Sequence, residues 1–157
     1  MWISSARFRG FRWCWVVDDT HLPRASISYF DEATFDAFVT SLPSESKSAV
    51  AAAMETVLTE GLFLLDTNWL KAITPPLLEL RIGPTIGTVL ARVGLEDHDW
   101  HRRAALLVRV FIVFDGPSRI VVLHAYDKTL DRERDSQQAQ IAIAQQNLLT
   151  WMRNRDA

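Results

Sequence analysis

His124, Tyr126 and Lys128 stand at every second position in the stretch RIVVLHAYDKTLDRE, residues 119–133. Each can move protons or hold phosphate. Successive side chains of a β-strand point to opposite faces, so this spacing puts all three on one face. The strand they close opens on Ile120, Val121, Val122 and Leu123, a run that suits burial. The preceding segment ALLVRVFIVF, residues 105–114, is the strongest strand signal in the chain and contributes Arg109. If the DGPS loop at 115–118 turns the chain and Phe114 faces Arg119, the two strands pair antiparallel. Arg109 then lies opposite His124, and Leu107 opposite Tyr126. Directly opposed side chains have Cβ atoms about 5 Å apart. A slip of one residue would send Arg109 to the other face, so the grouping depends on register.

Such a set supports cleavage of an RNA backbone. The ribose 2′-OH attacks the adjacent phosphate, and negative charge grows at phosphorus in the transition state. Arg and Lys stabilise that charge in a partly dry site. A His or Tyr moves protons to and from the attacking and leaving oxygens. His124 is the preferred proton carrier, because the unperturbed pKa of imidazole lies nearest neutrality. This chemistry requires no metal. A structural polar network or a partner surface would use the same residue types.

The elements that must position these residues are legible in outline. FRGFRWCWVVDD, 8–19, reads as a first strand, followed by a loop through Pro23. Phe35, Phe38, Val39 and Leu42 recur at helical spacing behind Asp31, a suitable N-cap, and Pro43 ends that helix. A second helix carries Val50, Met54, Val57 and Leu58 on one stripe, with Gly61 as its stop. LLELRI, 77–82, alternates with Glu79 and Arg81 on one side. A closing helix over 136–153 presents Ile141, Ala144, Leu148, Leu149 and Met152 as its buried stripe. The order β, α, α, β, β, β, α predicts one α+β domain over 1–157, with residues 83–103 as an insertion or flap.

The totals set bounds. A chain of 157 residues with 48% hydrophobic and 23% charged residues suits a soluble globular protein. Net charge is −2, so whole-molecule charge does not mark a nucleic-acid binder. The distribution is uneven: residues 1–70 hold five Lys/Arg against nine Asp/Glu, and residues 71–128 hold eight against six. An anion site is therefore expected in the second half. The single cysteine, Cys14, permits neither an internal disulfide nor a cysteine metal cage, and is expected to be a buried inert thiol in a reducing cytoplasm. Arg7, Arg9 and Arg12 interrupt any signal-peptide pattern, and no apolar run approaches the roughly 20 residues of a membrane span.

Taken in order, WLKAITPPLLELRI, LLVRVFIVF, RIVVLHAYDKT and the closing QIAIAQQNLLTWM behind two helices resemble the HigB-like branch of the RelE/ParE toxin superfamily, including its phage-derived relatives. The resemblance covers roughly residues 8–155. It implies a small twisted antiparallel sheet with an N-terminal helical hairpin and a C-terminal helix. It also implies a toxin of a type II toxin–antitoxin system: a metal-independent endoribonuclease, with no cofactor, that cleaves mRNA on the ribosome. The implied partner is a small helix-turn-helix antitoxin. The family's basic residues fall on Arg81, Arg109 and Lys128, and its aromatic or His positions on His124 and Tyr126. Lys71, Arg102, Arg103 and Arg132 are further candidate RNA contacts. Thr129 stands where the family commonly has a second basic residue. The alternatives are a catalytically silent or gyrase-inhibiting, ParE-like toxin acting as a protein-binding module, and an unrelated α+β protein with a structural role.

Other polar clusters are weaker. EDHDWHRR, 96–103, holds His98 and His101 three apart beside Asp97 and Asp99, but lacks a defined further ligand and reads as a solvated loop. In the toxin reading its Trp100 joins Arg102 and Arg103 in touching RNA or antitoxin. Trp13 and Trp15 alternate on a strand that could cover the sheet or pair with a partner at an edge.

Overall fold

The structure is a computed structural model that describes residues 7–8, 11–12, 26–65, 67–83, 107–130 and 134–156. The elements are β1 (Arg7–Phe8), β2 (Phe11–Arg12), β3 (Ser26–Tyr29), α1 (Glu32–Ser41), α2 (Ser44–Glu60), a 3₁₀ turn (Gly61–Leu64), β4 (Leu70–Thr74), β5 (Leu77–Ile82), β6 (Val108–Phe114), β7 (Arg119–Asp127) and α3 (Arg134–Arg155). β1 and β2 pair with each other. The remaining strands form a five-stranded sheet in the order β3-β7-β6-β5-β4. The fold is α+β, as expected, but the sheet is mixed, not antiparallel throughout. β3 runs parallel to β7, and the other pairs are antiparallel.

Two strands escaped the sequence pattern. β3 is only SISY: Ile27 and Tyr29 alternate with two serines, but four residues are too few to mark a strand off from a loop. It holds its place by backbone pairing along β7, from Ser26 opposite Arg119 to Tyr29 opposite Val122. β4 is broken by a bulge between Ala72 and Thr74, which interrupts the period of two. Of the expected first strand at 8–19, only Phe8 and the pair Phe11–Arg12 are described, in the short β1–β2 ribbon; Trp13, Cys14, Trp15 and His21 lie outside the described residues.

The helix signals translate directly. The Asp31 side chain accepts the Thr34 amide at 3.0 Å and caps α1. That bond holds the carboxyl below its ordinary range. α2 ends at Gly61, whose φ of 56° is the left-handed conformation a glycine tolerates. Val50, Met54 and Val57 of α2 are buried against one sheet face. Leu70, Leu78, Leu80, Ile82, Val108, Val110, Ile112, Ile120 and Val122 line that face. Each such side chain contributes about 1.5–3 kcal/mol when fully buried.

The other face packs under α3. Ala144 and Leu148 are buried with Leu77, Phe111, Val113, Val121, Leu123 and Tyr126. Ile141 and Trp151 pack beside them, whereas Leu149 and Met152 are exposed. The expected stripe is therefore rotated toward Trp151. The rotation brings Gln137, Gln140 and Asn147 onto the sheet side, where each finds a partner.

The β6–β7 register decides what this second face carries. From the turn, Phe114 faces Ile120, Val113 faces Val121 and Ile112 faces Val122. Then β7 bulges. Leu123 faces no residue of β6, and Phe111 faces His124. Without the extra residue, continuing the first register would place Arg109 opposite Ala125 and turn His124 and Tyr126 toward α2. With it, Arg109 faces Tyr126. The expected pairs Arg109–His124 and Leu107–Tyr126 are thus displaced by two residues, a shift that preserves the face. The bulge is held by α3: Asn147 Nδ2 donates to the Leu123 carbonyl at 2.8 Å. Asn147→Ala leaves that carbonyl without its partner and should lower the unfolding free energy by about 1–3 kcal/mol in urea titration. The exposed control Gln146→Ala should change it by less than about 0.5 kcal/mol.

Candidate functional site

Two rows of side chains cross the face beneath α3. In one, Arg81 of β5, Arg109 of β6 and Tyr126 of β7 are consecutive cross-strand neighbours. In the next, Lys71 of β4, Glu79 of β5, Phe111 of β6 and His124 of β7 stand in line. Lys128 follows directly after β7, and its amide donates to the Leu107 carbonyl at 2.7 Å. The five residues expected to carry chemistry, Arg81, Arg109, His124, Tyr126 and Lys128, therefore gather at one end of the sheet, with Lys71 at its β4 edge. Arg102, Arg103 and Arg132 lie outside the described residues, as do Asp97, His98, Asp99, Trp100 and His101.

Glu79 organises the cations. Its side chain is wholly buried. Oε2 accepts Arg81 Nε at 2.7 Å, and Oε1 lies 3.9 Å from Arg109 Nε. A buried carboxylate requires such partners, because an unpaired charge in the interior costs several kcal/mol. Arg109 keeps 12% of its side chain exposed and Arg81 32%, so Arg81 forms the rim of the site and Arg109 its floor. Arg109 Nη1 also donates to the Val108 carbonyl at 3.1 Å. Burial pushes the Arg109 pKa down, Glu79 pulls it back up and Arg81 depresses it further. A guanidinium titrates so high that it keeps its proton at neutral pH.

Phe111 is the hydrophobic centre. Its ring stacks near-parallel to His124, with centroids 6.2 Å apart, and to Tyr126, at 6.1 Å. These contacts fix both titratable rings on the sheet, each worth about 0.5–1.5 kcal/mol beyond area burial. The tips of the remaining groups meet α3. His124 Nε2 lies 2.6 Å from Gln140 Oε1, and Lys128 Nζ donates to Gln137 Oε1 at 2.9 Å. Thr129 is engaged locally, its amide donating to Asp127 Oδ1 at 2.8 Å to close the turn after β7.

The sequence reading missed Glu79 as a member of the site, although its alternation with Arg81 placed it on that face. It also missed Gln137 and Gln140. They lie one turn N-terminal to Ile141 and Ala144, within the helix face that packs on the sheet, and only their polar character hid them.

Among the described residues, no group of three or more His, Cys, Asp or Glu is placed to hold a metal ion, and no helix is long and apolar enough to cross a membrane. In comparisons with known proteins, no family model, no curated protein and no solved structure matches the chain.

The short His124–Gln140 contact assigns the ring proton. An amide oxygen accepts, so Nε2 is the donor in this contact, and whenever the ring is uncharged Nδ1 carries the lone pair. Ring ¹⁵N chemical shifts should show the Nε2–H tautomer in the native chain and a move toward a tautomer mixture in Gln140→Ala. Identical ring shifts in the two proteins would contradict the contact.

Proposed function

We propose that this chain is a toxin of the HigB/RelE kind, an endoribonuclease that cleaves mRNA on the ribosome. The carrying observation is the single face on which Arg81, Arg109, Lys128, His124 and Tyr126 converge. The motif order described above supports the same reading. In this view α1 and α2 are the helical hairpin of a RelE-like fold, and a helix-turn-helix antitoxin is the cellular partner.

The chemistry follows from the positions. The 2′ oxygen of a ribose forms a bond to phosphorus as the bond from phosphorus to the 5′ oxygen breaks. A 2′,3′-cyclic phosphate and a free 5′-hydroxyl result, and no water is consumed. Arg81 and Arg109, adjacent across β5 and β6, bind the two non-bridging oxygens and Lys128 adds a third cation. His124 takes the proton of the 2′-OH once its Nε2–H is released from Gln140 and the ring has exchanged its proton. Tyr126, beside Arg109, supplies a proton to the departing 5′ oxygen. Substrate entry requires α3 to give up its bonds from Gln137 and Gln140, so the roof over the site opens with binding.

A second reading is favoured by one specific observation. Glu79 neutralises one of the two guanidiniums, and Phe111 and Tyr126 are buried beneath α3. A silent face of this kind would make the chain a protein-binding module, inhibiting translation or gyrase by contact.

Purified protein in a reconstituted translation system separates the two. The wild type should cut mRNA, with Arg109→Ala and Lys128→Ala each slower by at least about 10²-fold, the usual loss of one charge-stabilising donor. Variants that cut as well as the wild type would remove the residue assignment. Translation arrest with intact mRNA would favour the binding module.

A further inference from the structure

Two guanidiniums at directly opposed positions of neighbouring strands repel each other, and like charges so placed destabilise a sheet. Arg81 and Arg109 occupy such a pair. Glu79 precedes Arg81 by two residues on β5, shares its face, and reaches both cations from below, at 2.7 Å and 3.9 Å. It is wholly buried, so it cannot touch a substrate. The contact with Arg109 is not a closed hydrogen bond: among the described residues, Glu79 Oε1 and Arg109 Nε have no hydrogen-bond partner. A guanidinium offers five N–H donors, and the described bonds to Glu79 and to the Val108 carbonyl use one on each arginine.

We infer that Glu79 is the positioning and charge-setting residue of this site: it holds Arg81 and Arg109 abreast and restrains their affinity for an RNA phosphate before reaction. The inference rests on the proposed reading of the face as a phosphate site. With Glu79 ionised, the pair presents one net positive charge to a phosphodiester. Without it, the pair presents two. Extra attraction felt equally by substrate and transition state tightens binding without speeding the chemical step. Guanidiniums released from their common counter-ion also lose the aim that in-line transfer needs. Glu79 therefore gives up ground-state affinity for geometry. Its loss has a signature that ordinary damage to the fold lacks, namely tighter RNA binding together with slower cleavage.

The test uses the full chain and a single-stranded 2′-O-methyl RNA oligonucleotide, whose blocked 2′ oxygen prevents cutting. Binding is followed by fluorescence anisotropy at low salt, beside mRNA cleavage in the translation system. Removing the negative charge that sits against both arginines should tighten binding by about tenfold or more in Glu79→Gln. Cleavage by the same variant should slow about tenfold or more. Folded Glu79→Gln that binds RNA no better than the wild type overturns the inference. If Glu79→Gln does not fold, the comparison moves to the Arg81→Gln background, which has no opposed guanidinium. There the added Glu79→Gln change should still tighten binding, and unchanged or weaker binding refutes the proposal. A wild type that does not bind the oligonucleotide, or binds it no better than Arg109→Ala, overturns the phosphate-site reading itself and the inference with it.

Discussion

β7 carries one more residue than its partner can match, and Asn147 of α3 accepts the consequence by bonding the carbonyl of that residue, Leu123. Side chains alternate along a strand, so a single insertion exchanges the two faces for everything beyond it. Up to Leu123, β7 alternates as a buried strand between two helical layers. Beyond it, His124 and Tyr126 lie on the same face as Leu123 and Val121, and Ala125 fills the α2 side. The polar set and the greasy start of one strand are thus compatible because the bulge separates them. It places the titratable rings beside Arg109 and leaves the α2 core apolar. α3 serves two ends here: its Ala144 and Leu148 bury the aromatic centre, and its amides satisfy the groups the bulge and the turn leave exposed.

The second constraint is electrostatic. Buried ion pairs are weak evidence for stability, since desolvation offsets most of the Coulomb gain and apolar replacements of equal volume often stabilise. A fold seeking stability alone would fill the positions of Glu79, Arg81 and Arg109 with aliphatic residues, as it fills Leu78, Leu80 and Val110 on the opposite face. Retaining one buried acid beside two bases, next to the apolar ring of Phe111, is a costly arrangement with a specific geometry. In the proposed reading, a cation pair aimed at one anion accounts for that cost. Other ion pairs among the described residues differ in kind: Asp115, between β6 and β7, bridges Arg119 and Arg155, tying the end of α3 to the turn near the surface, and Arg155 also meets its neighbour Asp156.

Elements with a strong period were readable in the sequence. α2 announces itself through Val50, Met54, Val57 and Gly61, α1 through Asp31, and β6 and β7 through continuous apolar runs around an unmistakable turn. β3 was not, because the alternation of SISY spans only four residues and does not stand out from the loop before it; its order comes from β7. The all-antiparallel expectation failed for the same reason, since the parallel strand pair of the described sheet, β3 with β7, involves that strand. The shared face of Arg109, His124 and Tyr126 was anticipated, yet from a register wrong by two residues. A bulge depends on what the neighbouring helix can satisfy, and Asn147 lies 24 residues away. Glu79 and the glutamines of α3 were hidden by the same locality: their roles exist only once strands and helix are assembled.

In the proposed reading, β5, β6 and the end of β7 form one phosphate-sized cationic site. Titrating ¹⁵N-labelled protein with inorganic phosphate and following the side-chain Nε resonances of Arg81 and Arg109 with the Nζ resonance of Lys128 tests it directly. A single site predicts that all three shift together, along curves described by one common dissociation constant. Resonances that respond with unrelated constants, or stay still while distant surface lysines respond, would contradict it.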